Sequence, residues 1–224
     1  QELPEPAGVS GASISSSGIG AGVSGSASPA GVDGDGGGAG REVAQAEPAA
    51  AVQVELVVEG GARYEGEAVQ GVAQGRGRLT FSSGDVYEGE FVRGVMHGAG
   101  EWRYARGAYF RGAFANGVAQ GEGQFHGEGG EEYRGDFAQN LPHGKGVMWW
   151  PNGSRYEGEW KRGRQHGFGS WSWQGNAYEG GFRDGQPHGS GRLCASSGDV
   201  YIGEWFRGKQ YGRGALFGAK GRVH

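Results

Sequence analysis

Four histidines, His97, His143, His166 and His188, stand at equivalent points of a repeating pattern. Imidazoles at regular spacing raise metal ligation first, because a neutral ring nitrogen is a common zinc donor. The spacing opposes it. With one histidine per two-stranded unit, neighbours lie roughly 10 Å apart, whereas ligands sharing one zinc sit about 2.0 to 2.1 Å from the metal. Gln74, Gln120 and Tyr211 hold the same place in other units, which suits a hydrogen-bonding turn residue. Acidic pairs are the second candidate: Glu65 with Glu67, Glu88 with Glu90, Glu157 with Glu159. Paired carboxylates can serve as general acid and base. These recur on one strand face with cross-strand arginines such as Arg76 and Arg78 in reach, the pattern of a solvated surface. No nucleophile motif accompanies the histidines. The chain is expected to be no enzyme, with no catalytic residues, no metal site and no cofactor.

What positions these residues is a period of 23. An aromatic residue, any residue, then glycine recurs at Tyr64-Gly66, Tyr87-Gly89, Phe110-Gly112, Tyr133-Gly135, Tyr156-Gly158, Tyr178-Gly180 and Tyr201-Gly203, every interval being 23 except one of 22. With the aromatic as position one, positions twelve and fourteen are glycine in all seven units. Position five is aromatic in six units and Ala68 in the first. Position eight is glycine except at Asn140, whose tolerance of positive φ suggests a left-handed turn there.

Aromatic and glycine residues alternate with polar ones at period two, which is strand periodicity. Each unit reads as one antiparallel hairpin, turning between positions eight and twelve and again at the glycine three residues before the next aromatic. Glycine weakens strand interiors unless something needs the space, so the rings are expected to lie over the glycines of the sheet. Seven such hairpins make an elongated all-β single sheet on the order of 65 Å long. Projected backwards, the repeat places Val52 and Val54 where other units have glycine. Residues 52–58 are therefore expected to form a capping strand, an outermost strand having no preceding ring to accommodate. The other end, at His224 just after the turn glycine Gly221, shows no such cap, and an open edge invites pairing with another chain.

The run Tyr-Glu-Gly-Glu-Trp-x-x-Gly-x-x-His-Gly-x-Gly at Tyr156 to Gly169 resembles the membrane occupation and recognition nexus repeat, MORN, and the resemblance covers about residues 54–224. It implies a hairpin solenoid used for scaffolding, self-association or attachment to membranes and cytoskeletal assemblies, and so a cytoplasmic, cytoskeletal or membrane-associated location. The chain starts at Gln1 rather than methionine, which is also compatible with a processed secreted or periplasmic protein.

Residues 1–50 contain no aromatic residue and are dominated by Gly, Ala, Ser and Pro. They read as a disordered tail ahead of a repeat domain at 51–224. Within the tail, Gly20 to Gly25 matches G-x-G-x-x-G without a flanking strand or helix, a chance match. Cys194 is the only cysteine, which excludes an intrachain disulfide and any multi-cysteine zinc site.

Net charge is polarised: −5 over residues 1–53, −5 over 54–144 and +6 over 145–224. The basic end, with Lys161, Arg162, Arg164, Arg207, Lys209 and Arg213, could approach an anionic membrane. Its cations are scattered rather than gathered into a run, the pattern of a solvated surface, and no nucleic-acid partner is expected. On the polar face, Val147, Trp149, Phe168, Ile202 and Phe217 break the pattern and form a candidate partner-binding surface. The expected function is a non-catalytic scaffold that binds a protein partner or a second copy through its C-terminal half. The alternatives are contact with anionic, phosphoinositide-type membranes and a glycan or peptide groove lined by Tyr156, Trp160, Trp171 and Trp173.

Overall fold

The computed structural model describes residues 50–219. The expected tail at 1–50, apart from Ala50, and residues 220–224, with the expected uncapped end, lie outside them. Fifteen strands form one antiparallel sheet in chain order. They are β1 (Val52–Val57), β2 (Arg63–Val69), β3 (Val72–Thr80), β4 (Val86–Val92), β5 (Val95–Arg103), β6 (Tyr109–Ala115), β7 (Val118–His126) and β8 (Glu132–Ala138). The remainder are β9 (Leu141–Trp149), β10 (Arg155–Lys161), β11 (Arg164–Trp173), β12 (Asn176–Arg183), β13 (Gln186–Cys194), β14 (Val200–Phe206) and β15 (Lys209–Phe217). The single-sheet hairpin array read from the period is thus the fold. β1 pairs with β2, placing Val54 opposite Gly66.

Glycines at positions three and fourteen face each other across each hairpin, as in Gly158 with Gly169; a Cβ on Gly169 would overlap the Tyr156 ring, and one on Gly158 the facing backbone and the Tyr156 hydroxyl. The phenol therefore crosses bare backbone and donates to the carbonyl of position four: Tyr64 to Glu67 at 2.6 Å, Tyr156 to Glu159 at 2.9 Å. Position-five rings sit edge-on between successive position-one rings, six phenols and Phe110. From Tyr64 through Phe91, Tyr87, Phe114, Phe110, Phe137, Tyr133, Trp160, Tyr156, Phe182, Tyr178 and Trp205 to Tyr201 the T-shaped contacts are unbroken, with centroids 4.8 to 5.4 Å apart. Ala68 ends this file at its first unit.

Two local expectations are corrected. The hairpin turn occupies only positions seven and eight, both left-handed, as in Gln70 (φ 51°) and Gly71 (φ 74°). This two-residue geometry matches the twist of the flanking strands. Asn140 is indeed left-handed (φ 65°). Each turn also hooks onto its predecessor, the position-eight N–H donating to the position-ten carbonyl one unit back, as in Gly94 to Ala73 at 2.8 Å. Second, glycine at position twelve does not lie under a ring. It sits at a bulge at positive φ (Gly144, φ 58°) beneath the carboxylate of position four. That carboxylate accepts the next N–H: Glu90 from Ala99, Asp136 from Lys145 at 3.0 Å, Glu159 from Phe168 at 2.9 Å and Glu204 from Arg213. Position-four acids thus hold the bulge, while position two alone behaves as the solvated face expected of both.

The single 22-residue interval also has a structural origin. Elsewhere strands return through a three-residue loop such as Ser82-Ser83-Gly84, closed by Phe81 N–H to Asp85 O at 2.9 Å. Between β11 and β12 the return is a two-residue turn, Gln174 (φ 45°) and Gly175 (φ 79°).

Substituting Gly146 by Ala drives a methyl into the Tyr133 ring and is expected to cost about 1–3 kcal/mol. At Gly153, where nothing lies within 4 Å but φ is 81°, Ala meets backbone strain alone without a ring clash, and the urea midpoint should fall less. Burial pushes the Tyr64 phenol up to about 12, the Glu67 charge adding to it. Tyr87, Tyr133, Tyr156 and Tyr178 are raised further, burial again being the main cause. Raised phenols contribute stability in full below the unfolded value near 10 and lose it as pH rises through the folded values. Tyrosinate absorbance should therefore lag above pH 10 and then rise together with loss of the far-ultraviolet strand signal.

Candidate interaction surfaces

The ring face is closed. Tyr156, Trp160, Trp171 and Trp173 are exposed by only 0, 2, 3 and 8 %. Trp160 donates its Nε1–H to the Gly146 carbonyl at 3.1 Å, and Trp171 stacks on Trp173 at 4.0 Å. The rings are consumed in covering glycine and one another, so they line no open groove and the glycan or peptide groove expected there is absent.

Histidines at position eleven lie one per hairpin, and no group of three or more potential ligands assembles a metal site among the described residues. It is the histidine backbone that is used: the carbonyls of His97, His143 and His166 accept long second bonds of 3.3 to 3.4 Å from the phenols. Burial, then the Arg183 and Arg207 charges, hold the His188 imidazole below its ordinary value.

The opposite, outer face carries most of the exposed charged side chains and several exposed apolar ones. Over β1–β6 it is a charged hollow of about 630 Å³ lined among others by Glu65, Glu88, Arg76, Arg78 and Arg111. Glu101 lies between Arg103 and Arg111, whose hydrogen bonds outweigh partial burial and hold its carboxyl below the usual range. Over β8–β11 a second hollow of about 480 Å³ has Val147 and Phe168 among its walls, with Arg134 and Lys145 to one side and Glu157 and Glu159 to the other. Trp149 lies beside it under two guanidiniums, Arg134 at 5.6 Å and Arg155 at 5.7 Å.

Ile202 and Phe217 lie apart from that group, on β14 and β15, opposite Ala215 and Val200 respectively. Between the two groups, β12 and β13 present Glu179 and Arg192 to solvent. The structure thus divides the five apolar candidates into two sets. It also adds two residues that pattern reading passed over: Phe206 is 46 % and Tyr211 65 % exposed, their rings 5.7 Å apart. Position six is otherwise aliphatic or basic and position eleven otherwise His or Gln, so both were visible as departures from the repeat.

The candidate cations are exposed and mostly cluster at hairpin tips. Lys161, Arg162 and Arg164 flank the β10–β11 turn, while Arg207 and Lys209 flank the β14–β15 turn on the same edge. Arg207 lies 5.3 Å over the Phe206 ring. Arg213 stands in β15, its N–H held by Glu204. The tips of the earlier hairpins differ: positions six and nine, paired across each turn, are Val69 with Val72, Val92 with Val95, Ala115 with Val118 and Ala138 with Leu141.

These features define a repeat protein whose recurring residues build one sheet and whose units differ mainly on the outer face. The MORN repeat model matches seven times, at residues 64–86, 87–109, 110–131, 133–155, 156–176, 178–200 and 201–221, and the chain belongs to the MORN-repeat family. No curated protein matches it. Among solved structures it is similar to the TCP domain of Drosophila melanogaster SAS-4 (dCPAP), in complex with a proline-rich motif of Ana2. That match has 11 % identity and a TM-score of 0.31, covering 83 % of this chain and 94 % of that one. It is also similar to the TCP10 domain of Danio rerio CPAP in complex with a STIL peptide, at 13 % identity and a TM-score of 0.25, with 77 % and 97 % covered.

Exposed and buried aromatics of the last hairpin should separate on mutation. Trp205→Ala, removing a buried ring of the file, is expected to cost about 3–5 kcal/mol. Phe206→Ser next to it should change stability by about 0.5 kcal/mol or less, both read by chemical denaturation.

Proposed function

We propose that this chain is a non-catalytic MORN scaffold that engages a protein partner through the outer face of its C-terminal half, centred on β14–β15. One observation carries the reading: of ten large apolar residues exposed among the described residues, Ile202, Phe206, Tyr211 and Phe217 share the outer face of this one hairpin. Among the described residues, no other repeat hairpin holds more than one large apolar residue this exposed, as at Val92 and Phe168. Phe206 with Tyr211 near the tip and Ile202 with Phe217 further along the hairpin lie either side of Glu204, with Lys209 opposite Phe206, and exposed aromatic residues interleaved with charge are the composition of a recognition surface. Val147, Trp149 and Phe168 form a second, separate apolar group over β9–β11.

A second reading, contact with an anionic membrane, is supported by the shared edge of Lys161, Arg162, Arg164, Arg207 and Lys209. Flotation with vesicles containing phosphatidylserine across a salt series tests it, binding at low salt that fades with added salt being the expected signature.

For the main reading, the test is crosslinking mass spectrometry on the native protein beside an Ile202→Lys, Phe217→Glu variant. Specific crosslinks to β14–β15 should disappear in the variant while its melting curve stays put. Crosslinks that persist unchanged would refute the assignment of this face.

A further inference from the structure

The aliphatic pairs at the tips of β2–β9 are not demanded by the fold. The hairpins of units five to seven close through the same two-residue turn, with φ of 51° at Arg162, 51° at Asp184 and 50° at Arg207, yet hold Lys161 with Arg164, Arg183 with Gln186 and Phe206 with Lys209 at the same two positions. A tip that folds equally well with Lys and Arg has no structural need of Val. Eight consecutive strands nevertheless carry Val, Ala or Leu there, partly open to solvent, with Val92 exposed by 42 %.

We propose that this tip row is a docking surface for one amphipathic α-helix of a partner protein, its apolar stripe lying along β2–β9 and its acidic end over the cationic tips of β10–β12. This surface is separate from the β14–β15 face and does not depend on it. Spacing selects the helix. Successive strands advance about 4.8 Å, and the a and d side chains of a helix advance alternately by three and four residues, about 4.5 and 6.0 Å. An extended peptide repeats its same-face side chains every 6.6 to 6.8 Å or so, which falls out of step within a few strands. A polyproline helix repeats at about 9.3 Å, near one unit, but such segments are read by aromatic-lined grooves, and this row is aliphatic. Seven spacings span roughly 34 Å, the length of about 22 helical residues. Charge sets the direction: Lys161, Arg164 and Arg183 continue the row, favouring the negative C-terminal end of a helix and acidic side chains beside it. The chain's own residues 1–50 have no apolar stripe to offer.

The test uses the full chain and a fluorescently labelled synthetic peptide of about 24 residues with Leu at each a and d position, Ala and Gln elsewhere and a C-terminal Glu run. Saturable binding by anisotropy is expected. A peptide of identical composition with its leucines moved off the stripe should bind about tenfold more weakly or worse. Val92→Lys with Val95→Arg, which gives the second unit the residues of the fifth, should cost the striped peptide a similar factor while the circular dichroism and melting curve are retained. Lys161→Glu with Arg164→Glu should weaken binding most at low salt. Equal binding of the two peptides, an unaffected Val92→Lys, Val95→Arg variant, or tighter binding of a proline-rich peptide at this row would each overturn the proposal. So would a dimer in light scattering that this variant dissolves, which would assign the row to a second copy.

Discussion

Everything in this sheet depends on an aromatic ring lying flat across glycine. A single layer has no second sheet or helix to bury its apolar face, so the burial must come from side chains folded down onto the layer itself. Glycine at positions three and fourteen clears the backbone for the phenol, and the phenol's hydroxyl finds a carbonyl to satisfy it, which keeps a buried polar atom from becoming a penalty. Once the ring is down, its edge is available to the position-five ring of the next unit, so one contact both seals a hairpin and couples it to its neighbour.

That coupling is reinforced at both margins of the sheet. Along the tip edge, each turn N–H bonds back to the preceding hairpin. Along the return-loop edge, Asp85, Asn176 and Asp199 accept backbone N–H groups of the following loop at 2.9 to 3.0 Å. Contacts run between sequence neighbours throughout, as expected for a quasi-one-dimensional array. With the inner face and both margins occupied by such duties, the outer face is left free to differ from unit to unit: charged residues and an aliphatic tip row lie side by side over the early strands, and cationic then aromatic stretches come after them.

Much of this was legible in the residues. The period located the hairpins, and glycine opposite an aromatic position announced the ring-over-backbone packing. Less legible was anything set by bulge geometry. The role of Glu159 in holding the Phe168 N–H depends on two residues being looped out at Gly167 and Phe168, which the alternation of types does not reveal. The aromatic groove failed for a related reason: Trp160, Trp171 and Trp173 look like a binding platform by composition, but in a one-layer protein large rings are needed for burial before they can serve recognition. Trp149 and Phe168 were found because they break parity; Phe206 and Tyr211 break only the residue preference of their positions, a weaker signal.

The short return between β11 and β12 shows where this architecture accepts a change in chain length. Removing one residue there leaves the ring file, the tip hooks and the outer-face rows in phase, because the loop lies beyond all three. Return loops are thus the natural ports for insertion: a peptide epitope, a protease site or a whole guest domain grafted after Gly153 or Gly198 would be carried at a fixed address along the array, one port for each unit.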